Sequence, residues 1–158
     1  DAYALPGVDV VHDIERLPLP FPNDEFDTIM ARDVLEHLEY PPVLRDLHRI
    51  LKPGGRIVIQ VPHFTSAGNF IDPTHRKLFS FQTFEFFVHH STFRRNYYFD
   101  FAFSRIELRR ISFPRGLLLC NYLIEPFVNI NDRTRKLYES TFLSRLFPAM
   151  NINVVLIK

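Results

Sequence analysis

Between Phe26 and Pro62 the chain reads FDTIMARDVLEHLEYPPVLRDLHRILKPGGRIVIQVP, and few folds accept that order of signals. Thr28-Ile29-Met30-Ala31 is a short apolar run after Phe26-Asp27, the mark of a buried strand with polar residues at its exit. Val43, Leu44, Leu47, Ile50 and Leu51 then recur at spacings of three and four, the apolar face of an amphipathic helix. Pro41-Pro42 opens that helix without losing an internal hydrogen bond. Pro53-Gly54-Gly55 stops it, because proline cannot continue a helix and glycine tolerates turn geometry. Arg56–Val61 is β-branched and nearly continuously apolar, the pattern of a strand buried on both faces. Strand, helix, stop and strand make a βαβ unit, which implies a parallel sheet with a right-handed crossover.

The flanking segments extend this frame. Val8–His12, VDVVH, is expected to be a short strand with Asp13 and Ile14 at its exit. The prolines of Leu17–Asp24, LPLPFPND, exclude a helix and a central strand there. Asp33 with Glu36 has the spacing of a capping box, which predicts a short helical turn over Asp33–Glu39. His63–Lys77 is a long polar loop, and loops of that length in compact domains often carry function. Ser80–His89 is expected to be a helix capped by Ser80. Ser104–Phe113 reads as a strand with one wet face, and Leu117–Val128 and Arg133–Phe147 as two helices. Ile152–Ile157 is the last strand. The domain expectation is one unit over residues 1–158, with 114–150 a helical insertion between the last two strands.

Bulk properties narrow the function. With 46% apolar residues, 17 Phe and 6 Tyr, the chain is folded rather than disordered. One cysteine, Cys120, excludes an intrachain disulfide. A reducing, cytoplasmic setting is expected, and no twenty-residue apolar span predicts a transmembrane segment. Residues 1–50 hold 11 acidic against 4 basic side chains, and residues 51–158 hold 7 against 15. That polarity fits a charged cleft or ordinary scatter over loops. The run FRRNYYFDFAF at Phe93–Phe103 mixes aromatic and basic residues, but a net charge of +1 argues against dedicated nucleic-acid binding. Core packing or an apolar substrate pocket fits it better. Leu117–Phe127 is apolar enough for a membrane-surface role, though a buried helix or a homodimer contact is the commoner use of such a segment.

The ordered elements D-I-x-x-L-P, F-D, LEH and LKPGG in residues 1–62 resemble the middle of a class I S-adenosylmethionine-dependent methyltransferase, of the type 11 methyltransferase domain. The phrase VPHFTSAGNFIDPTHRKLFSFQTFEFF resembles a subgroup found among small-molecule and polysaccharide-associated methyltransferases. The resemblance implies an α/β fold, a Rossmann-like doubly wound sheet incomplete at its N-terminus. The family's first two strands and its Gly-rich cofactor turn have no counterpart in these residues, and Asp1 falls near the family's ribose-binding acid. Gly54-Gly55 follows a helix, so it fails the context of a nucleotide loop.

By the same resemblance S-adenosylmethionine is the cofactor. Asp13 and Ile14 match the adenine position, Asp13 accepting the exocyclic amine and Ile14 covering the ring; Asp13 as a turn cap is the competing reading. Ala31, Arg32 and Asp33 border the methionine part and the substrate, at the edge where open α/β sheets bind ligands. His37 lies near the site in the family, or serves a neighbouring loop. His48 falls on the polar face of its helix and is expected to be exposed. His63, Asp72 and His75 are the catalytic candidates, an imidazole taking the acceptor's proton with Asp72 orienting it. A plain Asp72-Pro73-Thr74 turn with a surface His75 competes with that reading. Their spacing matches no metal motif, so no metal is expected. The expected activity is methyl transfer to a small-molecule or saccharide-linked acceptor. The second reading is a non-catalytic interaction protein with a degenerate methyltransferase fold.

Overall fold

The computed structural model describes residues 2–116 and 119–158. Asp1 and the start of the helix expected from Leu117 lie outside the described residues. Four strands, β1 (Phe26–Arg32), β2 (Leu51–Pro62), β3 (Arg105–Ser112) and β4 (Asn151–Ile157), form one sheet in the order β1-β2-β4-β3. β1 and β2 are parallel, and β4 runs antiparallel to both of its neighbours. This mixed α/β sheet is the Rossmann-like arrangement that the sequence implies.

α1 (Tyr40–Ile50) makes the crossover from β1 to β2, with its prolines in the first turn and Val43, Leu44, Leu47 and Ile50 buried. It covers one face of the sheet. Ile57, Ile59, Val61, Ile152, Val154 and Leu156 point into that face and are buried with Phe79, Phe84, Phe87 and Phe103. A second cluster, built on Phe81, Ile111, Phe113, Val128 and Tyr138, packs under α3 (Asn121–Val128) and α4 (Asp132–Ser140). The expectation that β2 is buried on both faces is corrected here. Arg56 is exposed and Val58 and Gln60 are half-buried, so burial along the strand alternates. The register sets Met30, Val58, Val155 and Leu108 side by side on the uncovered face, with Arg32, Gln60, Asn153 and Arg110 in the next rank.

The Pro53-Gly54-Gly55 stop works differently from a helix terminator. α1 ends at Ile50, and Leu51 already pairs with Phe26; the next pair is Thr28 with Arg56. One residue on β1, Asp27, therefore faces four on β2, and Lys52–Gly55 bulges out. Gly54 takes a positive φ of 76°, and a Cβ on Gly55 would lie 2.9 Å from the Lys52 carbonyl oxygen.

Four local expectations are corrected. Val8–His12 forms no strand of this sheet, and the chain there runs as bends and loop before the proline-rich segment. Ser80–His89 shrinks to a 3-10 turn over Thr83–Phe87, since Phe84 and Phe87 bury equally well three residues apart. Arg133–Phe147 breaks at Thr141 into α4 and the short α5 (Leu143–Leu146). α3 is inverted relative to an apolar buried helix: Leu123 and Phe127 are exposed while Asn121 and Glu125 are buried. Glu125 accepts from the Phe113 N–H and pairs with Arg110 and Arg115, which compensates its burial.

Candidate functional site

Parallel pairing brings the carboxyl ends of β1 and β2 to one edge of the sheet, with Arg32 opposite Gln60. Ala31 points into the covered core, so it offers a ligand its backbone only. Arg32 is exposed. At Asp33 the chain turns sharply through a φ of 51°, a conformation aspartate tolerates better than most residues. The Asp33 N–H donates to the Gln60 carbonyl, and the Gln60 amide donates to the Asp33 carboxylate at 3.1 Å. Asp33 is thus a strand-exit anchor. It caps nothing, and the expected capping box with Glu36 does not form.

Glu36 and His37 lie in the 3-10 turn Leu35–His37 that follows. The long loop after β2, which includes α2 (Gly68–Ile71), folds back on this turn: Arg76 and Lys77 N–H groups both donate to the Glu36 carbonyl, at 2.8 and 3.1 Å. That contact brings Asp72, Thr74 and His75 to Glu36 and His37. The Thr74 hydroxyl donates to Asp72 Oδ1 at 2.6 Å and lies 2.8 Å from His37 Nδ1. With its one hydrogen given to Asp72, Thr74 Oγ1 accepts from Nδ1–H, which leaves the His37 lone pair on Nε2. The His37 and His75 rings meet edge to face at 4.7 Å, and His75 Nε2 stands 3.9 Å from Asp72 Oδ2. The Thr74 hydroxyl and N–H hold the Asp72 carboxyl below its ordinary range. Glu36 is fully buried, and burial pushes its carboxyl above the ordinary range, with His37 and His75 pulling it partway back.

His63 sits elsewhere. It is fully buried, its Nε2 bonds Glu139 Oε1 at 3.0 Å, and its Nδ1 accepts from the Thr65 N–H. Both ring nitrogens are engaged, so His63 makes a core polar contact away from the open edge. Asp72 and His75 are brought together; His63 belongs to a separate network with Glu139, Thr65 and Ser80. His48 is likewise half-buried rather than exposed, its ring against Phe103 at 4.9 Å, and burial lowers its pKa.

On the cofactor side, Asp13 accepts from the Glu15 N–H at 3.0 Å and pairs with Arg16 at 3.6 Å, as a turn cap does. Ile14 lines an apolar groove of about 320 Å³ with Val10, Leu19, Phe26 and Ile29, along the outer edge of β1. Arg32 does not line it. Glu36 and Glu139 are the participants that sequence reasoning missed. An acid beside the histidine of LEH, at a strand exit, was a usable signal for Glu36; 76 residues separate Glu139 from His63 and no local pattern joins them.

Residues 3–59 match the family model of the methyltransferase domain. The demethylmenaquinone methyltransferase of Lysinibacillus sphaericus is 37% identical over 54 residues, covering 34% of this chain and 23% of that protein. The tRNA U34 carboxymethyltransferase of Hydrogenovibrio crunogenus is 38% identical over 58 residues, covering 36% and 18%. The chain thus spans under a quarter of the length of these curated relatives. A solved methyltransferase dependent on S-adenosylmethionine from Archaeoglobus fulgidus superposes with a TM-score of 0.50 at 23% identity, covering 94% of this chain and 66% of that one. The YcgJ protein of Bacillus subtilis does so with a TM-score of 0.51 at 18% identity, covering 89% and 67%. The fold is that of the class I methyltransferases. Among the described residues no helix is long and apolar enough to cross a membrane.

Proposed function

We propose that this chain, built on the class I methyltransferase sheet, takes part in methyl transfer from S-adenosylmethionine to the hydroxyl or amine of a small-molecule or saccharide-linked acceptor. One observation carries the reading: the methyltransferase-domain match over residues 3–59 joins a sheet whose last strand runs antiparallel between β2 and β3. The residues suit the cofactor in part. The groove beside Ile14 has the apolar walls and the volume that an adenine needs, and the Asp13 carboxylate is half-exposed next to it. Arg32 and the backbone of Ala31 and Asp33 would flank the methionine portion. When bound, the cofactor supplies an electrophilic sulfonium methyl.

The chain's own work is then positioning, which favours an in-line approach of the acceptor. Asp72, His75 and His37 border the acceptor at the carboxyl edge. They are placed to take the proton of its hydroxyl or amine. His63 supports this edge from the core. The second reading, a non-catalytic interaction protein, is the outcome if the cofactor does not bind.

Calorimetry with S-adenosylmethionine and a radiolabelled methyl-acceptor screen test the proposal. Asp13→Ala with Ile14→Ser should weaken cofactor binding about tenfold or more. His75→Ala should lower methyl transfer about 10²-fold with cofactor affinity retained. No cofactor binding up to millimolar concentration overturns the proposal.

A further inference from the structure

We infer that Glu36, His37 and His75 form a binding site for one divalent transition-metal ion of the zinc type. Each of the three offers one ligand atom, and these atoms all lie within 4.8 Å of one another. Tetrahedral zinc holds its nitrogen and oxygen ligands about 3.3 Å apart, given bond lengths of roughly 2.0–2.1 Å. Binding would draw the ligand atoms together by about 1.5 Å or less.

The strongest argument is what these atoms otherwise lack. Glu36 is fully buried, and neither of its carboxylate oxygens has a hydrogen-bond partner. A buried carboxylate without donors or a counter-charge is costly, and native structures rarely keep one. The nearby cations are committed elsewhere: Arg76 to Glu15 and Lys77 to Glu39. His75 Nδ1 is also buried and without a partner. So two of the three ligands present orphaned atoms to the same small space.

The histidines are also held as metal ligands usually are. Thr74 relays His37 Nδ1 to the Asp72 carboxylate, which fixes the tautomer and leaves Nε2 for an ion. Asp72 Oδ2 faces His75 Nε2, which leaves Nδ1 as the donor. Two imidazoles and a carboxylate favour zinc and its first-row neighbours over magnesium or calcium, which prefer all-oxygen shells. Three protein ligands leave a further position open. Only the last step rests on the methyl-transfer reading: an acceptor oxygen at that open position would have its proton made more acidic.

The test is zinc titration of the chelator-stripped protein, followed by calorimetry and thermal melting, with cobalt(II) absorption as a ligand-field signature. One ion per chain should bind with a Kd of about 1 μM or tighter and raise the Tm. His75→Ala and Glu36→Gln should each weaken binding about 10²-fold or more. Changing the exposed His89 and His90 to Ala should leave it unchanged. Glu36→Gln should melt no lower than the stripped parent and lose the zinc-dependent rise. If Glu36→Gln does not fold, His37→Ala and His75→Ala carry the same comparison. Binding that is absent below millimolar zinc, or indifferent to His75→Ala, overturns the site. None of these readouts requires S-adenosylmethionine, so they fail or succeed independently of the methyl-transfer proposal.

Discussion

His63 Nε2 lies 3.0 Å from Glu139 Oε1, joining the end of β2 to α4 across 76 residues of sequence. The same carboxylate accepts from the Ser80 hydroxyl at 2.5 Å and the Phe81 N–H at 2.9 Å. Removing either partner strands buried polar atoms. Glu139→Ala and His63→Ala should each destabilise the protein by about 2–4 kcal/mol, and the double variant should cost less than the two summed. Urea unfolding of the four proteins measures this. Additive losses would mean that the two side chains do not act as a pair.

Asp46 should contribute to acid sensitivity. Burial alone would raise its carboxyl, but hydrogen bonds from Arg49 and from the Leu19 N–H outweigh it and hold the carboxyl below the ordinary range. A carboxyl depressed in the folded state stabilises above its unfolded pKa of about 3.9 and loses that contribution as pH falls through the lower folded value. Asp46→Asn should therefore flatten the fall in Tm below about pH 4, and melt lower than the parent at neutral pH. Arg49 also donates to the Phe21 and Leu19 carbonyls, so this pair clamps the proline-rich segment onto α1. Limited proteolysis near residues 17–23 should speed up in the variant.

At alkaline pH the probe is Tyr138. Burial pushes its phenol up to about 12, and its hydroxyl donates to the Phe147 carbonyl at 2.8 Å. The neutral form is favoured in the folded state. Its contribution is therefore complete below the unfolded pKa of about 10 and fades as pH rises toward 12. Ultraviolet titration should show a late-ionising tyrosine component, and Tyr138→Phe should remove it at a cost of about 1 kcal/mol.

The two adjacent glycines should separate strain from collision. Around Gly54 nothing lies within 4 Å of where a Cβ would sit, so Gly54→Ala costs only the strain of a positive φ, about 1 kcal/mol. A Cβ on Gly55 would meet the Lys52 and Asp27 carbonyl oxygens and the Leu51 side chain within 3.0 Å. Gly55→Ala should cost about 2–4 kcal/mol, because backbone must move. Equal Tm shifts for the two variants would contradict the bulge geometry.

What could be read in advance was whatever is local. The β1-α1-β2 unit follows from the periodicity of Val43, Leu44, Leu47 and Ile50 and from the β-branched run after Gly55. Non-local facts were not legible. Val8–His12 has the apolar residues of a strand, yet whether such a run joins a sheet depends on what the rest of the fold sets beside it. Phe84 and Phe87 fit an α-helix and a 3-10 turn alike. The carboxyl-edge rule pointed to Arg32, Asp33, Asp72 and His75 as candidates. It said nothing of the carboxylate on Glu36, whose importance comes from being buried without a donor, a property of the packed loop rather than of the LEH string.

β4 lies between β2 and β3, although it is the last of the four strands in sequence. During synthesis β2 emerges about 90 residues before the strand that must pair with its free edge, and β3 must wait as well. At 5–20 residues per second that is a delay of several seconds or more. Throughout it Ile57, Ile59 and Val61 present an apolar, unpaired strand edge to whatever is nearby. Nascent chains stalled before residue 151 should therefore associate with holdase chaperones more strongly than chains stalled on a flexible linker appended after residue 158, and the sheet should close cooperatively when Asn151–Ile157 clears the ribosome.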